Sequence, residues 1–174
     1  MYRGGWLHTH HIEVDPRLCV FMRYVCSLIA VSDMEVSKRF YGEVLGLGVV
    51  SDYGANVTLE GGIALQTIDS WKTMIGSDSI VLPTDSGEMY FEEDDMGSFC
   101  ERLSGMDIVY VHELTEQPWG QRAVRFRDPD GHIIEVGERL EAVVKRFIDD
   151  GMTPEDVAGR MDIPIGDVLA FLGR

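Results

Sequence analysis

The 174-residue chain has little cysteine, few basic residues and no long apolar run, and each shortage excludes a class of protein. Three cysteines are too few, and odd in number, for the disulfide framework of a small secreted domain. A transmembrane helix needs about 18 consecutive apolar residues, and no such stretch occurs. The first residues carry histidines and acids where a signal peptide would be apolar. These shortages predict reduced thiols and a cytoplasmic location.

The charge balance argues against two classes of partner. The chain has 30 acidic and 15 basic residues, a formal net charge of −15. A strongly negative surface repels phosphate backbones and anionic lipids, so we expect no nucleic acid and no membrane as partner. Hydrophobic residues make up 45% of the chain, which is an ordinary value for a globular protein. We therefore expect a folded, globular protein.

Residues 1–21 have no clear hydrophobic period and contain His8, His10 and His11. A histidine cluster can bind metal, but no cysteine or acidic residue lies at ligand spacing from it. We interpret 1–21 as an amino-terminal extension. A strand-like run follows Met22, so the folded domain is expected to begin there.

Two segments repeat the element order strand, helix, strand, strand, strand. In residues 22–67, a β-branched run precedes Ser32-Asp33, which can cap a helix that ends at Gly46. In residues 88–137, the same order ends with the tight-turn sequence 128–131 and a last strand. The repetition predicts an α+β fold of paired βαβββ modules, although an unrelated α+β domain could show the same order.

Residues 138–174 read as a helical extension. An apolar stripe at helical spacing predicts one amphipathic helix, and Thr153-Pro154 and Pro164 introduce two shorter helices. Two short helices joined by a turn suggest a helix-turn-helix regulatory protein as an alternative. However, this segment has eight acids and five bases, which leaves no phosphate-neutralising face. We expect a helical cap that packs on its own sheet or on a dimer partner.

Two motifs resemble the opening and closing segments of the vicinal oxygen chelate superfamily. The first is VSDMEVSKRFY at 31–41, which closes with Val44-Leu45-Gly46; the second is PWGQR at 118–122, followed by FRDPDGHIIE at 126–135. This superfamily includes glyoxalase I, extradiol dioxygenases, fosfomycin-resistance enzymes and bleomycin-binding proteins. The resemblance covers about residues 22–137 and implies a curved mixed sheet around a cleft, commonly in a homodimer. It implies no single reaction, because this fold hosts many.

The resemblance also implies a site. The family places metal ligands in the first and last strands of each module, which here fall on Cys26, Gln66, Glu88 and Glu135. Two carboxylates and an amide oxygen suit Mn or Mg and could hold Zn, Ni or Fe, whereas a Cys26 thiolate fits this oxygen set poorly. With metal, Glu135 or Glu88 would be the catalytic base of a lyase, isomerase or dioxygenase.

A second interpretation needs no metal. Two neighbouring carboxylates in a partly desolvated cavity cannot both ionise cheaply, so a cation, a shared proton or a basic neighbour must relieve them. Arg125 could be this basic neighbour, because its position in the preceding strand places its side chain on the same face as that of Glu135. The cleft that the resemblance implies would then be the pocket of a protein that binds or sequesters a small molecule without a cofactor, with Arg125, Trp119 and Tyr90 as substrate-binding residues. His112, near the end of a strand, is interpreted as structural.

Overall fold

A computed structural model describes residues 23–82 and 85–173 of the chain. The predicted amino-terminal extension, with its histidine cluster, and Met22 lie outside the described residues.

The first module begins at strand β1 and ends at strand β4. Its elements are β1 (Ser27–Val31), α1 (Met34–Leu45), β2 (Val49–Asp52), β3 (Asn56–Leu59), a 3-10 turn (Glu60–Gly62) and β4 (Ile63–Thr67). Helix α1 begins where the Asp33 carboxylate accepts hydrogen bonds from the backbone N–H groups of Glu35 and Val36, and it ends at Gly46 with a φ of 72°. The strand order is β1-β4-β3-β2, with β1 parallel to β4. Helix α2 (Ile68–Ile75) follows directly.

The second module repeats this topology. Its elements are β5 (Glu88–Glu93), α3 (Met96–Ser104), β6 (Val109–Glu116), β7 (Arg122–Arg127) and β8 (Ile133–Glu138). The strand order is β5-β8-β7-β6, with β5 parallel to β8. The predicted α+β class and the paired βαβββ modules are confirmed. The strands form two four-stranded mixed sheets rather than one continuous sheet.

Helix α1 joins the two modules. The hydroxyl of the fully buried Tyr41 donates a hydrogen bond to the Asp128 carboxylate at 2.8 Å, in the turn between β7 and β8. In the same turn, Asp130 accepts a hydrogen bond from the backbone N–H of Ser32 at 2.9 Å. Burial and the neighbouring Asp128 carboxylate raise the pKa of Tyr41 far above its ordinary value, so its hydroxyl keeps its proton.

One apolar core contains residues of both sheets and of helices α1 and α3. On the second sheet the core side chains alternate along the strands: they are Val124, Phe126, Ile134 and Val136. Because side chains alternate across a sheet, Arg125 and Glu135 point to the face opposite this core. The candidate site lies on that opposite face.

Three carboxyl-terminal helices form a second, smaller core. They are α4 (Leu140–Asp149), α5 (Pro154–Met161) and α6 (Ile165–Phe171). Their buried apolar side chains contact one another and form a cluster separate from the sheet core: Val143, Val144, Phe147, Val157, Met161, Ile163 and Val168. The predicted helical extension is confirmed, and we use this name for α4–α6. Within the described ranges, no helix is both long and apolar enough to cross a membrane.

The helical extension packs on the second sheet of its own chain. Glu138, which is only 1% exposed, pairs with Arg122 of β7 at 2.7 Å and with Arg146 of α4 at 2.9 Å. The Phe147 ring packs directly against Gly120, where an added Cβ would overlap it. These contacts hold α4 at the end of β8, next to the turn between β6 and β7.

Candidate functional site

The centre of the candidate site is Arg125, on the face of the second sheet opposite the core. Its Nε donates to Glu88 Oε2 at 2.8 Å, and its Nη2 forms an ion pair with Glu135 Oε2. Strand pairing explains this contact, because β7 and β8 are antiparallel neighbours that place Arg125 opposite Glu135. The two predicted carboxylates therefore meet on one guanidinium.

His112 of β6 completes what we call the Arg125 cluster: Arg125, Glu88, Glu135 and His112. Its Nε2 lies 3.1 Å from Nη1 of Arg125, and its Nδ1 lies 2.8 Å from the backbone oxygen of Glu113. Arginine can only donate, so Nε2 must accept, and Nδ1 must carry the proton that the carbonyl accepts. His112 is thus assigned as the neutral Nδ1–H tautomer. The sequence analysis interpreted His112 as a structural residue and did not predict this contact with Arg125.

The two glutamates differ in burial, and their pKa values differ accordingly. Glu135 is 7% exposed, and its burial together with the hydrogen bond to Glu88 raises its pKa to about 7, although Arg125 opposes the rise. Glu88 is more exposed, and hydrogen bonds from Arg125 lower its pKa. Of the two carboxyl groups, Glu135 is therefore the one that binds a proton more readily.

Tyr90 lies beside this cluster, and Gln121 links it to Trp119. Tyr90 is 48% exposed and pairs in register with Glu135. The buried Gln121 amide donates to the Tyr90 hydroxyl at 3.0 Å and accepts from Trp119 Nε1 at 3.1 Å. Sequence reasoning did not single out Gln121, and its only signal was its place in the PWGQR motif. Tyr90 also lies against Gly137, where a Cβ would come within 2.9 Å of the ring.

The other two predicted ligands do not join the glutamates. Gln66 is buried in the first sheet, where its Oε1 accepts from Asn56 at 2.8 Å and its Nε2 donates to Ser70 of α2 at 2.6 Å. Cys26 is half-buried just before β1. Over 23–82 and 85–173, no three His, Cys, Asp or Glu side chains are grouped so that they could hold a metal ion. The expected set of four ligands is therefore not assembled.

The residues present do not fit a divalent metal in this arrangement. The Arg125 guanidinium donates to both oxygens of Glu88 and to Oε2 of Glu135. A metal ion between these carboxylates would stand beside a fixed positive charge, which repels it. Gln66, the predicted amide ligand, has both its amide oxygen and its amide nitrogen hydrogen-bonded elsewhere.

Comparisons with known proteins identify the fold. The sequence model of the family "Glyoxalase-like domain" matches residues 24–141. A structure of a protein of unknown function from Agrobacterium tumefaciens strain C58 is 37% identical, with a TM-score of 0.63, over 68% of this chain and 94% of that chain. A glyoxalase-related enzyme from Fulvimarina pelagi is 23% identical, with a TM-score of 0.58, over 66% of this chain and 87% of that chain.

A glyoxalase/bleomycin resistance protein/dioxygenase from Nocardioides has the same fold, at 21% identity and a TM-score of 0.58, over 70% of this chain and 87% of that chain. No functionally curated protein matches the chain significantly. The family match and the structural relatives confirm the resemblance to the vicinal oxygen chelate superfamily. The chain belongs to the glyoxalase-like domain family.

Proposed function

We propose that this protein binds a small molecule, without a metal ion, on the face of the second sheet around Arg125. The observation that supports this proposal is the pairing of Arg125 with both Glu88 and Glu135. The guanidinium satisfies the carboxylates from within the protein, so the cluster needs no metal to be stable. Fixed polar groups beside aromatic surface are the usual composition of a ligand site.

The neighbouring aromatic residues supply the apolar part of this site. Tyr90 exposes about half of its surface beside Glu135, and Gln121 holds the Tyr90 hydroxyl and the Trp119 indole. A ligand that covers these rings gains about 25 cal/mol for each Å² of apolar surface removed from water. The rings would supply affinity, and the Arg125 cluster would supply orientation.

The metal-dependent lyase, isomerase or dioxygenase implied by the resemblance requires a different arrangement. Arg125 would have to release Glu88 and Glu135, and a further ligand would have to join them. Titration calorimetry of chelator-treated protein with Zn²⁺, Mn²⁺ and Ni²⁺ tests this alternative. The proposal predicts no stoichiometric site tighter than about millimolar, whereas micromolar binding that Glu135→Gln abolishes would support the metal-dependent enzyme.

The raised pKa of Glu135 supports a second candidate function, metal-independent proton transfer. A carboxyl group whose pKa lies near 7 suits a general acid or base at neutral pH. Glu135→Gln distinguishes the candidates. Binding alone survives this substitution to within about tenfold, whereas turnover of a substrate by proton transfer is lost.

A fragment screen by ligand-observed NMR tests the proposed function on chelator-treated, full-length protein. Fragments should bind the natural protein and lose binding in Arg125→Met. Arg127→Met is the matched control, since Arg127 lies on the same strand and pairs with the exposed Asp85 instead. Fragments that bind equally well to both variants would contradict the proposed location. Absence of any binding fragment would contradict the function.

A homodimer and a cytoplasmic location stay predictions. Strand β6 lies at a sheet edge and exposes Val109, Val111 and Leu114, which a second copy could cover. Light scattering after size exclusion should give twice the mass of one chain. A stable dimer interface should be associated at a protein concentration of about 100 µM. A monomer mass at that concentration would contradict the dimer.

A further inference from the structure

We propose that the helical extension positions the aromatic part of the ligand face, and that Arg146 of α4 is the residue through which it acts. This inference rests on the proposed function and names what holds that site in shape. Arg146 is a positioning residue, because it acts on Tyr90 through Gln121. The sequence match to the family ends at residue 141, in the first turn of α4, so the helical extension lies beyond the shared domain.

The turn between β6 and β7 joins the helical extension to the ligand face, because it carries Trp119 and leads into Gln121. Arg146 Nη2 donates a hydrogen bond to the backbone oxygen of Gly120 at 2.6 Å. The Phe147 ring of the same helix packs directly against Gly120, which is buried. Helix α4 therefore fixes the backbone between Trp119 and Gln121.

Arg146 also holds the strand end to which Gln121 is bonded. Its Nη2 donates to Glu138 Oε2 at 2.9 Å, and its Nε donates to Glu138 Oε1 at 3.2 Å. The backbone oxygen of Glu138 accepts from Nε2 of the buried Gln121 at 2.8 Å. One guanidinium thus contacts both the turn that precedes Gln121 and the residue that accepts from its amide, and the planar fork of arginine allows this double contact.

The exposed ion pairs of this region contribute less to the connection. Glu116, the last residue of β6, accepts from Arg160 of α5 at 2.7 Å and from Arg146 Nη1 at 3.5 Å. The Glu116 and Arg160 side chains are 41% and 43% exposed, and water screens an ion pair in such a position. The less exposed contacts of Arg146 with Gly120 and Glu138 therefore carry the connection.

The Gln121 amide passes this placement on to Tyr90. A backbone carbonyl can only accept and an indole N–H can only donate, so the Glu138 and Trp119 contacts fix the orientation of the amide. Its Nε2 also donates to the Tyr90 hydroxyl at 3.0 Å, whereas the exposed Glu92 lies 3.4 Å from that hydroxyl. Gln121 is the closer and more buried anchor of the Tyr90 ring.

The Arg125 cluster is held by separate contacts. Arg125 pairs with Glu88 of β5 and Glu135 of β8, and it contacts His112 of β6. A change at Arg146 should therefore disturb the Tyr90 side of the face and leave the Arg125 side in place. This selectivity distinguishes positioning from a general loss of stability, which would affect both sides.

Spectra that correlate ¹H and ¹⁵N test the inference on the full-length protein without a ligand. The reporter is the Trp119 indole N–H, which donates to Gln121 Oε1 at 3.1 Å and is assigned from its loss in Trp119→Phe. In Arg146→Met this signal should shift by more than its line width, while the Arg125 Nε–Hε signal stays in place. Lys145→Met is the matched control, since it removes the same charge from an exposed position of α4, and it should leave both signals unchanged.

Two further variants keep the test decisive if Arg146→Met is unstable. Arg146→Lys keeps the charge, but one ammonium does not reproduce both contacts of the guanidinium, so the Trp119 signal should still shift. Val157→Ala loosens the core of the helical extension and leaves Arg146 unchanged. Thermal unfolding checks that each variant is folded. An unchanged Trp119 signal in both Arg146 variants would overturn the inference, and so would an equal shift in folded Val157→Ala.

Phenol, a small neutral aromatic probe, tests the effect on binding by chemical-shift titration. Its dissociation constant should rise about threefold or more in Arg146→Met, because a displaced ring loses part of its contact energy, and should stay the same in Lys145→Met. Equal phenol affinity in the two variants would overturn the action of the extension on the ligand face. Absence of phenol binding to the natural protein would instead contradict the aromatic part of the proposed function, and the Trp119 signal would still decide whether Arg146 positions Gln121.

Discussion

Glu138 is the residue on which the attachment of the helical extension depends, and Glu138→Gln tests this dependence. Its carboxylate is almost fully buried and accepts hydrogen bonds from Arg122 at 3.0 and 2.7 Å and from Arg146 at 2.9 Å. Glutamine keeps the shape and removes the charge. Arg122 would then face a neutral amide, while Arg146 would keep its longer ion pair with Glu116, at 3.5 Å. Taking the carboxylate away from buried guanidinium contacts is the costly half of a broken buried ion pair.

The pKa of Glu138 gives the magnitude of the expected loss of stability. Burial alone would raise this pKa, but hydrogen bonds from Arg122 and Arg146 overcome the effect and lower it from 4.5 to about 2. At 1.36 kcal/mol per pKa unit, this difference is a contribution of about 3 kcal/mol to the free energy of unfolding. Because the folded-state pKa is lowered, the contribution is complete above the unfolded-state pKa and is lost as the pH falls from about 4.5 towards 2.

Urea unfolding at pH 7 should show Glu138→Gln to be about 3 kcal/mol less stable than the natural protein. The natural protein should also lose stability more steeply than the variant between pH 4.5 and pH 2, the range between the two pKa values. Glu141→Gln is the control, since Glu141 is exposed in the first turn of the same helix. A loss below about 1 kcal/mol, or equal pH slopes, would refute the reasoning, because a buried ion pair cannot be broken so cheaply.

Three further predictions concern other contacts. Gly120→Ala should loosen the helical extension, because Gly120 has a φ of 94° and an added Cβ would overlap Phe147. Limited proteolysis of this variant should cut within α4–α6, and unchanged protection from the protease would contradict this contact. Tyr41→Phe should cost about 1–3 kcal/mol in urea unfolding, since it leaves the buried Asp128 carboxylate without its phenol donor; a neutral effect would show that the two modules do not depend on this bond. Arg125→Met should raise Mn²⁺ affinity at least tenfold in calorimetry, because it frees two carboxylates; unchanged affinity would show that Arg125 does not exclude the metal.

The local parts of the fold were predictable because their signals lie within a few residues of one another. The Asp33 cap and the Gly46 terminus of α1 each use hydrogen bonds inside one helical turn, and both were predicted. The tight turn at 128–131 fixes the register of β7 and β8, so the parity of Arg125 and Glu135 followed from the turn. For this reason the predicted contact of Arg125 with Glu135 agrees with the structure.

The contacts of Gln66 and His112 could not be predicted in the same way. Gln66 has the expected strand position, but helix α2 follows immediately and its Ser70 takes the amide. His112 reaches Arg125 because the pairing of β6 with β7 shifts register on both sides of His112. Both outcomes depend on how one element lies on another, and side-chain alternation along a single strand does not contain that information.

The most direct test of the central claim is the Nε–Hε resonance of Arg125 in ¹H–¹⁵N spectra during titration with Mn²⁺. If Arg125, rather than a metal ion, joins Glu88 and Glu135, this resonance keeps its position and line width after chelation and again when equimolar paramagnetic Mn²⁺ is added. Selective broadening of Arg125 and of the β8 amides around Glu135 at substoichiometric Mn²⁺ would contradict the account and place a metal at the site.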